Sequence, residues 1–185
     1  MENDLTLIRN VLDGSVDSFN MLLNKYESPV YRYVYNMIND REASLDLCQE
    51  VFIMVYNKLY MYKQDCKFSN WIFKIAKNKT IDYLRKSRKV SHINIDDASE
   101  ALSKETSPEE WAEYIETGKF VREFVKTLKD ADRSILSMKY SNLSLTFCDI
   151  AQVLNMSEAG VKRRYYRMRD RFKDFISDNK KRCKV

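Results

Sequence analysis

The chain has 185 residues, enough for one mid-sized domain or two small ones, and its 44% hydrophobic and 32% charged residues indicate a globular, charge-rich protein. Only three glycines and two prolines are present, too few for the turns of a many-stranded sheet, so we expect an all-α fold. The net charge is +5, and because the sequence has neither an apolar run of membrane-spanning length nor the apolar core of a signal peptide, we expect a cytoplasmic protein with no direct membrane insertion.

The first predicted domain, residues 1–89, carries three stripes of apolar residues spaced three and four apart, the pattern of amphipathic helices. The first stripe covers residues 19–37, and Pro29 within it predicts either a kink or the start of a second helix. The second stripe covers residues 47–59. The third covers residues 68–83, and the opposite face of that helix is polar and basic. Together these helices predict a compact helical bundle.

Residues 90–118 lose this periodicity and become acidic. Three basic and eight acidic side chains lie between positions 88 and 118, together with a proline, which is the composition of a linker. Residues 119–185, by contrast, hold 17 basic and 8 acidic side chains. We therefore predict two small helical domains joined by a flexible acidic linker, the second of them suited to a polyanion.

The second domain is predicted to contain three helices. Residues 124–136 mark one or two helical pieces, and the next helix is predicted to be capped by Ser144 and to end at Leu154. A turn of two or three residues follows, and Ser157 is predicted to cap the last helix. The apolar seam of that last helix consists of Val161, Tyr165, Met168 and Phe172.

A helix, a tight turn and a second capped helix form a helix-turn-helix pattern, in which the second helix enters the DNA major groove. On a helical wheel Arg163 and Arg167 point away from the seam, with Lys162 and Tyr166 on one flank. Arginine pairs with guanine edges, and both arginine and lysine neutralise phosphates. A basic face that is merely solvated is the alternative, and the preceding capped helix and tight turn favour DNA binding over it.

The sequence does not indicate a metal, cofactor or catalytic site. Its four cysteines are scattered without a C-x-x-C pair, and His92 is its one histidine, so no zinc ligands cluster. Cys48 and Cys148 fall among apolar helical positions and are predicted to be small core residues. Because glycine-rich phosphate loops and clustered carboxylates are also missing, we expect neither an enzyme nor a small-molecule substrate.

Five short motifs follow one another along the chain. DLCQEVF at 46–52 matches D-L-x-Q-E-x-F, FSNWIFKIAKN at 68–78 matches F-x-x-W-[LI]-x-x-I-A-x-N, and IDYLRK at 81–86 matches I-D-x-x-R-[KR]. In the second domain DIA at 149–151 stands in place of E-I-A, and GVKRR at 160–164 in place of T-V-K-S-R. In this order and spacing the chain resembles bacterial RNA polymerase sigma factors of the extracytoplasmic-function (ECF) group.

The resemblance implies a two-domain specificity subunit of RNA polymerase, with region two at residues 1–89 and region four at residues 119–185. Region two would dock on core polymerase, capture the melted minus-ten element and hold a flipped base in the loop at 60–68, and region four would read the minus-thirty-five element. The residues implied for polymerase docking are Asp46, Gln49 and Glu50. Those implied for minus-ten DNA are Tyr62, Lys63, Lys67, Phe68, Lys74, Lys77, Asn78 and Arg85. Those implied for minus-thirty-five DNA are Ser157, Lys162, Arg163, Tyr166 and Arg167.

The partners implied by the resemblance are core RNA polymerase, promoter DNA and an anti-sigma factor, which in this family is often linked to the membrane and would then hold the chain near it. The alternative is a stand-alone helix-turn-helix regulator whose first domain senses a ligand or dimerises. The motifs at 46–52 and 68–78 favour a sigma factor, because a regulator of that kind has no use for them. Binding to core polymerase distinguishes the two hypotheses.

Overall fold

The computed structural model describes residues 3–90, 118, 120–141, 143 and 145–182, and every regular element within those residues is helical. This agrees with the all-α fold that the sequence predicts. None of the helices in this part of the chain is both long and apolar enough to cross a membrane. The elements are α1 (Asp4–Leu12), α2 (Val16–Ile38), α3 (Arg41–Lys58), a 3-10 turn (Leu59–Met61), α4 (Phe68–Val90), α5 (residues 120–126), α6 (Asp130–Lys139), α7 (Phe147–Leu154) and α8 (Glu158–Arg182).

Helices α2, α3 and α4 correspond to the three predicted stripes and bury them against one another. Pro29 lies inside α2 and does not end it, since the helix continues to Ile38. Helix α1 was not predicted from the sequence; it is capped by Asn3 and packs on α2. The Asp4 carboxylate of α1 accepts a hydrogen bond from the Tyr26 hydroxyl at 2.6 Å, and burial together with this contact raises the pKa of Tyr26.

The cap of α7 is Thr146, not Ser144, which lies outside the described residues. The Thr146 hydroxyl accepts from the Asp149 backbone N–H at 3.1 Å, and the Asp149 carboxylate accepts from the Thr146 backbone N–H at 3.0 Å, so the two residues form a capping box. Asn155 ends α7 in the left-handed conformation. Ser157 then caps α8 as predicted, by accepting from the Gly160 backbone N–H at 3.1 Å.

We expect Thr146→Ala to lower the free energy of unfolding by about 1–2 kcal/mol, because the N-cap hydroxyl is lost and α7 has only eight residues. Urea unfolding followed by circular dichroism measures the change. Thr146→Ser keeps the hydroxyl and is the matched control, for which we expect a much smaller change. Equal stability of the alanine and serine variants would contradict the role of the cap.

The N-terminal and C-terminal helices share one hydrophobic core. Helix α6 packs on α2, where the Tyr33 hydroxyl and the Ser134 hydroxyl form a buried hydrogen bond of 3.2 Å, and burial raises the pKa of Tyr33. Helix α7 packs on α4. The sequence predicts two domains joined by a linker. In this structure α6 and α7 of the second predicted domain pack directly on α2 and α4 of the first.

Of the two cysteines predicted to be in the core, Cys48 is buried and Cys148 is exposed. Burial raises the pKa of the Cys48 thiol to about 12, so this thiol stays protonated and behaves as a small apolar residue. The prediction for Cys148 was wrong, because α7 turns its Ile150 and Ala151 side toward the core and leaves Cys148 on the solvent side.

Candidate functional site

The three predicted docking residues lie on the exposed face of α3. Asp46, Gln49 and Glu50 are all exposed, whereas Leu47, Cys48 and Val51 on the same helix are buried. The Glu50 carboxylate accepts from Lys79 Nζ of α4 at 2.8 Å. We call Asp46, Gln49 and Glu50 the docking face; it exposes carboxylate and amide oxygens to solvent.

A basic face runs along α4 and the loop before it. We call it the strand face, and its residues are Lys63, Lys67, Lys74, Lys77, Asn78 and Arg85. A cleft of about 310 Å³ opens within it, and Trp71 forms part of the wall of this cleft. A cleft lined by lysine amino groups and an aromatic side chain has the chemistry that suits a nucleobase together with its phosphates. The remaining lining residues of the cleft are Met61, Lys63, Asp65, Cys66, Asn70, Lys74 and Gln152. The predicted minus-ten residues Lys63, Lys67, Lys74, Asn78 and Arg85 are exposed, and Lys77 is half-buried.

The two aromatic residues predicted to contact minus-ten DNA, Tyr62 and Phe68, are core residues in this structure. Both rings are buried and pack on Trp71 at centroid distances of 5.6 and 5.7 Å, and the Tyr62 hydroxyl donates to the Cys66 carbonyl at 2.6 Å. The prediction that they present stacking surfaces therefore needs correction, since their faces are used within the fold. Both pack on Trp71, which lines the cleft. Tyr60 is the exposed aromatic residue at the start of this loop.

Helix α7 lies directly on the strand face. Lys67 Nζ is 3.0 Å from Asp149 Oδ2, and Asn70 Nδ2 donates to Asp149 Oδ1 at 3.1 Å and to Gln152 Oε1 at 2.8 Å. Further along α4, Lys77 Nζ donates to the Val153 carbonyl at 3.4 Å. Burial, together with the charge of the nearby Lys74, lowers the pKa of Lys77. Asn70, on the polar side of α4 in sequence, is thus only 3% exposed.

Burial alone would raise the pKa of Asp149, but hydrogen bonds from Thr146, Asn70 and Lys67 outweigh it and lower the pKa to about 2. The unfolded pKa of an aspartate is near 3.9, so the ionised carboxylate stabilises the fold above about pH 4, and this contribution is lost as the pH falls toward 2.

We expect the side-chain carbonyl carbon of Asp149 to keep a constant NMR shift from pH 7 down to about 4. Titration with a midpoint near pH 4 would contradict these contacts.

The predicted minus-thirty-five residues cluster in the first turns of α8, after the tight turn at Asn155. Lys162, Arg163 and Tyr166 are exposed. Lys162 pairs with Glu158 at 2.7 Å, which raises the pKa of Lys162, and the Arg169 guanidinium lies 5.1 Å from the ring centre of Tyr166. Ser157 is occupied as the cap. We call Lys162, Arg163, Tyr166 and Arg167 the recognition face.

Arg167 differs from Arg163 because it leans toward α6. Its guanidinium is 3.8 Å from Asp132 Oδ2, and the neighbouring Arg164 donates to Asp132 Oδ1 at 2.8 Å. Asp132 is only 3% exposed, so Arg164 is a structural residue that neutralises a buried carboxylate and fixes α8 on α6. Arg163, one turn before Arg167 on α8, is exposed to solvent.

Two contributors to the site were not predicted from the sequence, namely Asp149 and Gln152, which contact Asn70 of α4 from 79 and 82 residues further along the chain. A helical wheel places them on the polar side of α7, but nothing local indicates which helix they meet.

The described structure combines an exposed acidic face on α3, a basic cleft at α4 and a capped basic helix, α8. This combination is typical of one class of protein: a helical DNA-binding protein with a second surface for a protein partner.

Comparison with known proteins identifies the family. The Sigma-70 region 2 family model matches residues 22–90. The ECF RNA polymerase sigma factor SigM of Bacillus subtilis is 30% identical over 148 residues, which cover 80% of this chain and 88% of SigM. The ECF RNA polymerase sigma factor SigW of the same organism is 26% identical over 179 residues, which cover 92% of this chain and 95% of SigW. The chain therefore belongs to the ECF RNA polymerase sigma factors, as its motifs indicated.

A solved structure shows the same fold. The sigma factor RpoE of Bartonella quintana, crystallised with the anti-sigma factor NepR, matches with a TM-score of 0.69 at 15% sequence identity. The match covers 88% of this chain and 98% of that RpoE chain. The two chains therefore share their all-α fold over most of their length.

Proposed function

We propose that this chain directs core RNA polymerase to promoters by dividing the work among its three surfaces. The docking face binds the polymerase, the strand face holds the melted minus-ten strand, and the recognition face reads the intact minus-thirty-five duplex. The observation that carries this division is the recognition face itself, because a capped helix after a left-handed turn presents Lys162, Arg163 and Tyr166 to solvent. Side chains in those first turns are the ones that reach base edges in a helix-turn-helix.

The strand face supports capture of single-stranded DNA. Lys63 and Lys74 line the cleft and Lys67 lies beside it, so phosphates on either side of a base entering the cleft would meet amino groups. Asn78 and Arg85 continue the polar surface along α4. Tyr62 and Phe68 contribute from below by holding the position of Trp71. The cleft excludes a duplex by its size, which favours an unpaired base.

We also propose that an anti-sigma factor controls the chain. The fold that it shares with RpoE of Bartonella quintana is one that NepR binds in a solved complex. A protein inhibitor of this kind would act by covering the docking, strand or recognition face. The predicted acidic linker, residues 90–118, is not needed for this proposal, and all of it except residues 90 and 118 lies outside the described residues.

In vitro transcription tests the function directly. Purified chain and core RNA polymerase are combined on a pool of templates with randomised promoter regions, and transcripts are sequenced. We expect the chain to enrich templates that share two sequence blocks and to fix the start site downstream of them, which core polymerase alone does not do. Transcripts with the same start-site distribution with and without the chain would overturn the proposal.

A further inference from the structure

The first turn of α8 carries an acidic side chain, Glu158, on an otherwise basic stretch of helix. This residue is exposed, and it is not among the residues that the sequence implied for minus-thirty-five DNA. Its neighbours are short: Ser157 is occupied as the cap, and Ala159 and Gly160 carry a methyl group and a hydrogen. Glu158 is therefore the side chain in this turn that is long enough to extend from the helix toward a bound duplex.

Glu158 is paired with a residue of the recognition face. The Lys162 ammonium, one turn further along α8, is 2.7 Å from Glu158 Oε1, and 47% of the Lys162 side chain and 44% of the Glu158 side chain are exposed. The Phe147 ring of α7 lies 6.0 Å from the same ammonium and restricts it further. A hydrogen-bond donor and an acceptor are thus held side by side on the surface that we assign to the major groove.

A carboxylate on this surface has a cost that the arginines and lysine do not have. The phosphates of a bound duplex repel it, so it favours binding only where an amino group of a base meets it. Within residues 158–165 Glu158 is the only carboxylate, whereas the remaining charged side chains are donors without acceptor atoms. The group that discriminates among bases by accepting a hydrogen bond is therefore Glu158.

The spacing of the ion pair matches the edge of a G·C base pair. In the major groove guanine presents O6 and N7 as acceptors, and cytosine presents its N4 amino group as a donor. Guanine O6 and cytosine N4 are hydrogen-bonded to each other and so lie roughly 2.9 Å apart, close to the separation of Lys162 Nζ and Glu158 Oε1. The ammonium can donate to guanine while the carboxylate accepts from cytosine in the same pair.

An A·T pair offers the same atom types in a less suitable arrangement. Adenine N6 is a donor, but adenine N7 beside it is an acceptor and repels a carboxylate. Thymine presents one acceptor, O4, where guanine presents two, and the thymine methyl group lies next to it. An acid and an ammonium fixed at this spacing therefore favour G·C over A·T.

We propose that Glu158 is a further specificity residue, and that the Glu158–Lys162 pair reads one G·C base pair within the minus-thirty-five element. The inference rests on the proposed function, because it assigns a base pair to the recognition face. It adds an acceptor to a surface whose arginines supply donors only.

Selection of templates with a randomised upstream block, by core polymerase and purified chain, tests this assignment. Wild type should prefer G·C at one position of that block. Glu158→Gln should shift the preference at that position toward A·T and leave the other positions unchanged, because a glutamine amide pairs with adenine N6 and N7. Glu158→Ala should reduce the G·C preference there by roughly three- to tenfold, measured as the ratio of affinities of the polymerase complex for duplexes with G·C and with A·T.

Glu123→Gln is the matched control, because Glu123 is exposed on α5 and the same charge is removed outside the recognition face. This variant should select the wild-type sequence, and thermal melting checks the fold of all three variants. A purely structural role for Glu158, through the helix dipole and the surface ion pair, would weaken binding to every template equally. Only a contact with the base changes the preference at a single position.

The results separate this inference from the proposed function. If wild type has no G·C preference in the upstream block, or if both Glu158 variants keep the wild-type preference at every position, the inference is overturned and the proposed function stands. The same change of preference in Glu123→Gln would assign the effect to net charge and would also overturn the inference. If the wild-type complex selects no upstream sequence at all, the recognition face does not read DNA and the proposed function itself fails.

Discussion

Replacing Glu50 by arginine is expected to weaken binding to core RNA polymerase by at least about tenfold. Glu50 is exposed on the docking face beside Asp46 and Gln49, where it contributes negative charge to a surface that suits a partner rich in donors. Arginine reverses that charge and also leaves the Lys79 ammonium without its carboxylate. Two positive charges then stand where the partner met a carboxylate, and like charges across an interface are costly.

The fold should tolerate this change. The Glu50–Lys79 ion pair is at the surface, with 56% of the Glu50 side chain exposed, and such pairs contribute about 0–1 kcal/mol to stability. Binding is measured by fluorescence anisotropy with labelled chain and core polymerase, and thermal melting checks the fold. Asp174→Arg, an equal charge change at an exposed position on α8, is the control and should bind nearly as wild type. Unchanged affinity of the Glu50 variant would show that the polymerase docks elsewhere.

The helices of region two could be predicted because their signal is local. Apolar residues spaced three and four apart form the buried side of each helix, so the stripes of α2, α3 and α4 could be read from the sequence alone. The same periodicity placed Asp46, Gln49 and Glu50 on the exposed side of α3. Helix α1 was missed although its signal is also local: Asn3 is a capping residue, and Leu7, Ile8 and Val11 have helical spacing.

The errors in α7 had a signal in the sequence that was not used. Thr146 is followed three residues later by Asp149, the spacing of a capping box, whereas Ser144 is followed by Phe147, which cannot return a hydrogen bond. A helical wheel centred on Ile150 and Ala151 also places Cys148 off the apolar seam, where the structure has it.

The contact between α7 and α4 could not have been predicted in this way. Asn70 has the sequence environment of a solvated polar residue, and its burial depends on a helix about 80 residues further along the chain. Tyr62 and Phe68 illustrate the converse case, since aromatic residues in a predicted DNA-binding loop proved to be packed inward. Both depend on which surfaces meet in three dimensions, and periodicity describes only which side of a helix is apolar.

Replacing Arg163 and Arg167 together by alanine is expected to abolish selection of the minus-thirty-five sequence while leaving polymerase binding intact. Each arginine that pairs with a base edge contributes about 1–3 kcal/mol of discrimination, roughly 5- to 150-fold. Arg163 should account for more of the loss, because it projects into solvent, whereas Arg167 is partly drawn to Asp132 at 3.8 Å. The affinity of the polymerase complex for duplex promoter DNA should also become less sensitive to salt, since phosphate contacts are lost.

Arg164 provides a matched control within the same turn of α8. Its guanidinium is bound to buried Asp132, so Arg164→Ala should lower the free energy of unfolding by about 1–3 kcal/mol, because it leaves that carboxylate poorly neutralised. Arg163→Ala, by contrast, should leave thermal stability unchanged within about 0.5 kcal/mol, as expected for an exposed side chain. Arg163→Ala should therefore change DNA selection but not stability, whereas Arg164→Ala should lower stability. If Arg163→Ala lowered stability and left promoter selection intact, α8 would not be presenting this face to DNA.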